Sequence, residues 1–370
     1  MTPIDLGYQM PAEWIRHACT FMEWPINQRI WLDQLEPARR AYAAVARAIA
    51  GFEPVIMLVS PEQRAAAATL CGPAIALLPI RHNDSWMRDN GPTFLVDRRQ
   101  QLAGINWRFN AWGGKSESWD EDDRVAPALL QRLGVPCFNA PMILEGGSIH
   151  VDGAGTLLAT EECLLNQNRN PHLTKAEIAT LLGRYLNIRK IIWLKRGLAG
   201  DETDGHVDNV ACFARPGAVI IQSCADPSDP NYRIYQENRR ILEHETDARG
   251  QGLEIIPIEQ PPATYDRSTS KRLPMSYINF YLVNGGLVFP VFGGACRETD
   301  RRARQVLEAA FPGRTVIGVD GMTIIKGGGN IHCITQQMPA SVNYPTYDGG
   351  MLYARGECGR GTDELQLVHG

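Results

Sequence analysis

Short apolar runs flank polar, often glycine-bearing segments five times along the chain. The blocks read AIALLPIRHNDSWMRDNGPTFLVD (74–97), APMILEGGSIHVDGAGTLLAT (140–160), KIIWLKRGLAGDETDGHVDNVACFARPGAVIIQ (190–222), LEIIPIEQPPATYDRSTSKRLPMSYINFYLVNGGLVFPVF (253–292) and TVIGVDGMTIIKGGGNIHCITQQ (315–337). Each opens with a strand-like run, crosses a polar centre and ends in a second strand-like run. The centres lie near residues 89, 145, 206, 279 and 333, and a spacing of about 55 to 75 residues marks an internal repeat.

Helical patterns lie between the blocks. Residues 36–52 are alanine-rich and close at a glycine, a helix with a C-terminal stop. Residues 171–186 carry Thr174 and Glu177 at capping-box spacing. Residues 229–245 and 299–311 complete the set. A strand, strand and helix unit thus recurs about five times, and each unit alone leaves an apolar face wet, so neighbours must cover it. Five units around an axis would give one closed α/β domain over residues 1–370, with no linker to divide it. An ordinary mixed α/β sheet is the alternative that the pattern leaves open.

Composition narrows the class. Hydrophobic residues make up 44%, enough for a proper core, and 35 glycines and 24 prolines favour short strands and turns. A net charge of −4 advertises no basic surface, so nucleic acid is not an expected partner. No run approaches the ~18 apolar residues of a membrane span, and the N-terminal segment has no secretory pattern. Nine cysteines (19, 71, 137, 163, 212, 224, 296, 333 and 358) without CxxC pairs read as reduced thiols in the cytoplasm. Homo-oligomers are common at this length, but no interface is legible.

The polar centres differ in residue type. They offer Trp86, Arg88 and Asp89, then Glu145 before two glycines, then His206 and Asp208, then Asn279, and last Cys333. Rotational equivalence of the blocks would aim these side chains at one centre. In GHVDN, a strand would point His206 and Asp208 to one face. The run 331–335 after three glycines looks like a short strand with His332 and Cys333 on opposite faces. Each residue also has a structural reading. His206 suits a hydrogen-bonded core position, Asp89 a partner of Arg88 or a turn cap, Glu145 a Gly-Gly turn, and Trp86 the core.

A Cys-His pair alone suggests acyl transfer, but several buried acids oppose a developing oxyanion. They suit a cation instead, and a planar guanidinium with its fork of N–H donors fits paired carboxylates. Asp201, Glu202 and Asp204 add acid groups beside His206. Zinc on Cys333, His332, His206 and Asp208 matches no common motif spacing, so neither metal nor cofactor is expected.

Taken together, MPAEWIRHACTFMEWP, NDSWMRDNGPTFLV, WGGKSESWDEDDRVA, LEGGSIHVDGAGTLLATEECLLNQNRNPHLTK, DETDGHVDNVACF, LPMSYINFYLVNGG and GGGNIHCITQQMP resemble the agmatine deiminase family of the pentein superfamily. The resemblance runs from residue 10 to about 340. Ser116 stands where that family leads us to expect an aromatic residue, and the tail after residue 345 carries no signature. The resemblance implies a five-bladed α/β propeller and metal-free hydrolysis of agmatine, within putrescine formation. It also implies Cys333 as nucleophile, His206 as general acid/base, Glu145 as its orienting partner, Asp89 and Asp208 as guanidinium ligands and Trp86 as pocket wall. Agmatine ends in an ammonium, and by its charge Glu202 is the candidate to attract it. Peptidyl-arginine or free arginine deimination by the same chemistry is the alternative.

Overall fold

In the computed structural model, which describes residues 1–342 and 344, the sheets repeat one plan. Strands β1 (His17–Glu23), β2 (Val55–Val59) and β3 (Ile75–Pro79) run parallel in the first sheet. In the second, β4 (Thr93–Val96) is antiparallel to β5 (Leu102–Arg108), which is parallel to β6 (Cys137–Ile143). The same order recurs in β7 (Ile149–Val151), β8 (Thr156–Thr160) and β9 (Lys190–Leu194). It recurs again in β10 (Ala211–Arg215), β11 (Ala218–Ser223) and β12 (Glu254–Glu259). The fifth set is β13 (Tyr281–Val283), β14 (Gly286–Val291) and β15 (Thr315–Asp320). Strand β16 (Gln336–Pro339) then lies antiparallel to β1 and supplies the strand that the first sheet lacks.

Parallel neighbours require a crossover. Helices Leu35–Ala50, Val125–Leu133, Lys175–Leu186, Pro230–His244 and Arg297–Ala310 provide one per sheet. Four of them match the helical patterns of the sequence to within a few residues. Helix Val125–Leu133 did not stand out; it is short and carries Pro127 in its first turn.

Five buried apolar clusters fill the seams between sheets. Phe21 and Ile56 meet Phe94 and Leu102. Ile105 meets Leu157, Ile192 meets Phe213, and Ile220 meets Phe289. The fifth cluster joins Met22 and Met57 of the first sheet to Tyr281 and Val288 of the last, so the seams close a ring. The fold is therefore the five-bladed α/β propeller that the resemblance implied, and its ring agrees with the fivefold repeat in the sequence. Each fully buried large apolar side chain contributes roughly 1.5–3 kcal/mol, and every seam holds several.

The predicted blocks need one correction. The two strand-like runs of a block belong to different blades. The first is an outer strand (β3, β6, β9, β12 or β15) and the second is the inner strand of the next blade (β4, β7, β10, β13 or β16). Inner strands β4, β7, β13 and β16 are wholly buried, whereas outer β12 exposes Glu254, Pro257 and Glu259. Each polar centre thus lies on a connection running from the rim to the axis. Among the described residues no helix is long and apolar enough to cross a membrane. The tail after residue 345 and Cys358 lie outside the described residues, and the eight described cysteines are free.

The capping box forms as its spacing predicted. Thr174 Oγ1 accepts the Glu177 N–H at 3.3 Å, and Glu177 Oε2 accepts the Thr174 N–H at 2.7 Å. The helix behind it buries Ile178, Leu182 and Leu186, one per turn. Thr174→Ala should therefore destabilise the protein by about 1 kcal/mol, read as a lower urea midpoint with an unchanged slope.

Candidate active site

The rim-to-axis connections deliver their side chains to one buried place. Asp89, Glu145, His206, Asp208, Asn279 and Cys333 are each at most 5% exposed. Gly147 sits among three of them. A Cβ there would lie 2.6 Å from His206 Nδ1 and 2.9 Å from both Asp208 Oδ2 and Asp89 Oδ1. Only glycine leaves that space free, which explains the second glycine after Glu145.

Cys333 faces the same place from the β15–β16 connection. Its Sγ lies 3.4 Å from Asp208 Oδ2 and accepts from Asn279 Nδ2 at 3.1 Å. Asn279 Oδ1 in turn accepts the backbone N–H of His332 at 2.9 Å, fixing the turn that carries the thiol. Gly329 lets this turn approach Trp86, since a Cβ there would come within 2.5 Å of the indole. Trp86 itself is buried, stacks on Trp31 and donates its Nε1–H to Asp84 at 2.9 Å.

The acids are held in different ways. Asp89 accepts the Gly147 N–H at 3.0 Å and the Trp112 indole N–H at 2.9 Å. Trp112 reaches it from a backbone in the left-handed region, φ 54° after Ala111 at 53°, a conformation that costs ~1–2 kcal/mol per residue. The Asn110 side chain caps this turn by accepting from Gly113 at 2.9 Å. Asp208 Oδ2 accepts from His332 Nδ1 at 2.9 Å, while its Oδ1 has no partner. Glu145 Oε1 accepts from Arg169 Nε at 2.7 Å. Its Oε2 lies 3.8 Å from His206 Nε2, and Asp89 Oδ1 lies 3.8 Å from His206 Nδ1. Both His206 ring nitrogens are buried without a hydrogen-bond partner, flanked by acids on either side.

These surroundings sort the protonation states. Burial lowers the affinity of His206 for a proton, but Asp89, Cys163 and Glu145 outweigh it and raise the pKa well above the usual range. Burial raises Glu145, yet Arg169 and His206 hold it below its ordinary value. Burial also raises Asp208, and the His332 bond overcomes it, so its pKa is lowered. Burial pushes Asp89 up to about 6, although His206 at 3.8 Å opposes the shift without a hydrogen bond. Burial, Asp208 and Asp89 together push the Cys333 thiol well above its ordinary value.

Two local expectations fail. Residues 331–335 form turns, not a strand, so His332 and Cys333 do not face opposite ways; both meet Asp208 Oδ2. Val207–Asn209 is a 3₁₀ turn, and His206 and Asp208 meet across Gly147 rather than by strand alternation. Glu202 is not brought into the cluster. It is exposed, and its carboxylate pairs with Lys271 at 2.6 Å. Asp204 is taken by Lys115 and Arg169. Arg88 does not pair with Asp89; it reaches Glu13 at 3.3 Å and Gln337 at 2.9 Å. The ligand set weighed for zinc is not the one gathered. Instead Glu145, Cys163 and His206 offer donor atoms within 4.8 Å of one another. Arg169 already places positive charge against that group, which disfavours a dication there. Sequence reasoning missed Trp112, Arg169, Glu13 and Cys163, none of which sits in a polar centre.

The site's relatives are informative. The family model described as Porphyromonas-type peptidyl-arginine deiminase matches residues 9–339. An agmatine deiminase of Stutzerimonas stutzeri is 46% identical over 361 residues, covering 92% of this chain and 97% of the relative. The solved structure of the agmatine deiminase of Enterococcus faecalis catalysing its reaction matches with a TM-score of 0.88 at 36% identity, over 91% of this chain and 97% of that one. A Campylobacter jejuni agmatine deiminase with a cysteine-to-serine change and substrate bound matches with a TM-score of 0.82 at 27% identity, over 90% and 97% of the two chains.

The geometry sets a measurable reactivity. A thiol pKa pushed upward leaves less thiolate at neutral pH, so without ligand Cys333 should alkylate slowly at pH 7. Its rate should keep rising beyond pH 9, as followed by mass spectrometry of the Cys333 peptide. A rate plateau near pH 7 would contradict the description of its surroundings.

Proposed function

This chain belongs to the Porphyromonas-type peptidyl-arginine deiminase family and, within it, with the agmatine deiminases, and on that premise we propose that it hydrolyses agmatine to N-carbamoylputrescine and ammonia. The observation that carries the reading is the convergence of Asp89, Asp208 and His206 on Gly147, with the Cys333 thiol against Asp208. Paired carboxylates beside a thiol suit a flat cation, and each charge-assisted hydrogen bond contributes roughly 1.5–3 kcal/mol.

Asp89 and Asp208 hold the guanidinium, and Trp86 walls the pocket. The buried charges of the site nearly cancel. Glu13, Asp89, Glu145 and Asp208 stand against Arg88, Arg169, His206 and His332. An entering cation upsets this balance, and loss of the Cys333 proton restores it. Substrate thus helps to form the thiolate that burial, Asp208 and Asp89 suppress. The thiolate attacks the guanidinium carbon. His206, as imidazolium, gives its proton to the departing ammonia, leaving an amidino-thioether on Cys333. The neutral ring then takes a proton from water, whose oxygen attacks the same carbon. Collapse expels the thiolate and leaves the ureido product. Glu145, anchored by Arg169, keeps His206 aimed and favours its cation. That a relative holds substrate once a cysteine becomes serine is the behaviour expected of a nucleophilic cysteine. A cytoplasmic setting agrees with the free cysteines.

Ammonia release from agmatine, arginine and an arginine-containing peptide tests the substrate, with agmatine expected to be turned over fastest. Preference for the peptide would favour the rival reading that the family model's description suggests. Cys333→Ser should abolish turnover in a folded protein, and His206→Asn should lower kcat by about 10²–10⁴-fold. Protonation of Asp89 removes a ligand for the cation, so kcat/KM should fall as pH drops through about 6, with Asp89→Asn raising KM at neutral pH.

A further inference from the structure

His332 stands beside the nucleophile, yet the reaction gives it no step. Its ring lies between two acids, with Nδ1 2.9 Å from Asp208 Oδ2 and Nε2 2.9 Å from Glu13 Oε1. Carboxylates only accept, so both nitrogens must donate, and only the imidazolium carries two N–H groups. Glu13 comes from the segment before β1, whereas Asp208 comes from the β9–β10 connection. The bridge therefore ties together parts of the chain that are remote in sequence.

We propose that His332, gripped by Glu13, is a positioning residue that keeps Asp208 ionised and turned so that its second oxygen is free for the substrate cation. That oxygen, Oδ1, is buried without a partner. The inference rests on the reading of Asp208 as a guanidinium ligand. The other charged or titratable groups around the bridge are Arg88, His150 and Tyr281 toward Glu13, Cys333, His206, Asp89 and Asp201 toward Asp208, and Cys212 toward both. Arg88 also donates to the His332 carbonyl at 3.3 Å, so it steadies the turn without replacing the ring. Asp89 shows what burial does to an acid here that lacks such a cation.

The test is the pH profile of kcat/KM for agmatine, with KM and kcat resolved, in the parent, His332→Gln, Glu13→Gln and the double variant. Glutamine at 332 keeps one polar contact but no charge, so Asp208 should take up a proton more readily. The acidic limb should then move to higher pH and steepen from one proton toward two. KM should rise by about 10–100-fold, the usual loss when a partner behind a functional ligand is removed, with a smaller change in kcat. Glu13→Gln should shift the limb the same way by less, and it carries the test if His332→Gln does not fold. The double variant should be no worse than His332→Gln alone, because the two act as a unit. Folded variants with the parent's limb and KM, losses confined to kcat, or additive losses would overturn the proposal. Failure of the parent to release ammonia from agmatine would instead sink the function on which it rests.

Discussion

Compensation of buried charge is the constraint on which the centre of this molecule depends. An ionised side chain stripped of water and left unpaired costs several kcal/mol. Here Glu13, Asp208 and Glu145 are buried, and each meets a cation that local sequence does not supply. Arg169 reaches Glu145 from beyond β8, and His332 joins Glu13 to Asp208 across more than a hundred residues on either side. The His332–Asp208 pair joins connections that enter different blades, so neither blade alone can form it. The ring of seams brings them together, so the packing of rim and core is also what makes the acids affordable at the axis.

Asp89 is the exception, and its exception is useful. Its partners are a backbone N–H and an indole N–H, both neutral, with His206 standing off at 3.8 Å. Asp89 is thereby left without a hydrogen-bonded cation, the side on which the proposed guanidinium would be most strongly drawn. Trp112, held in the left-handed region at some conformational cost, fits the idea that strain gathers at functional sites. That cost is met by the cap from Asn110 and by the hydrogen bond to Asp89.

Much of the architecture was legible because short apolar runs and helical patterns repeat, and a repeat needs no knowledge of partners. The five centres were legible for the same reason: Asp89, Glu145, His206, Asp208, Asn279 and Cys333 occupy equivalent connections. What could not be read was the assignment of strands to blades. An apolar run, a polar stretch and another apolar run look like one unit, yet the inner strand pairs with the strand that follows it. Local conformation at the site also escaped. The run 331–335 has strand-like composition, but Asn330 and Asn279 bind its backbone into turns. Arg169, Glu13 and Trp112 carry no periodic signal, because they lie outside the repeated polar centres and act only through tertiary contacts. Glu202 was chosen for its charge alone, and Lys271 answers that charge at the surface.

The pairing of β16 with β1 has a consequence for synthesis. As the polypeptide leaves the ribosome, the inner edge of the first blade emerges early and then waits for almost the whole message to be read before its complement appears. The thiol arrives just ahead of that complement. The axial centre is thus incomplete until the last of the described strands has emerged and closed the ring.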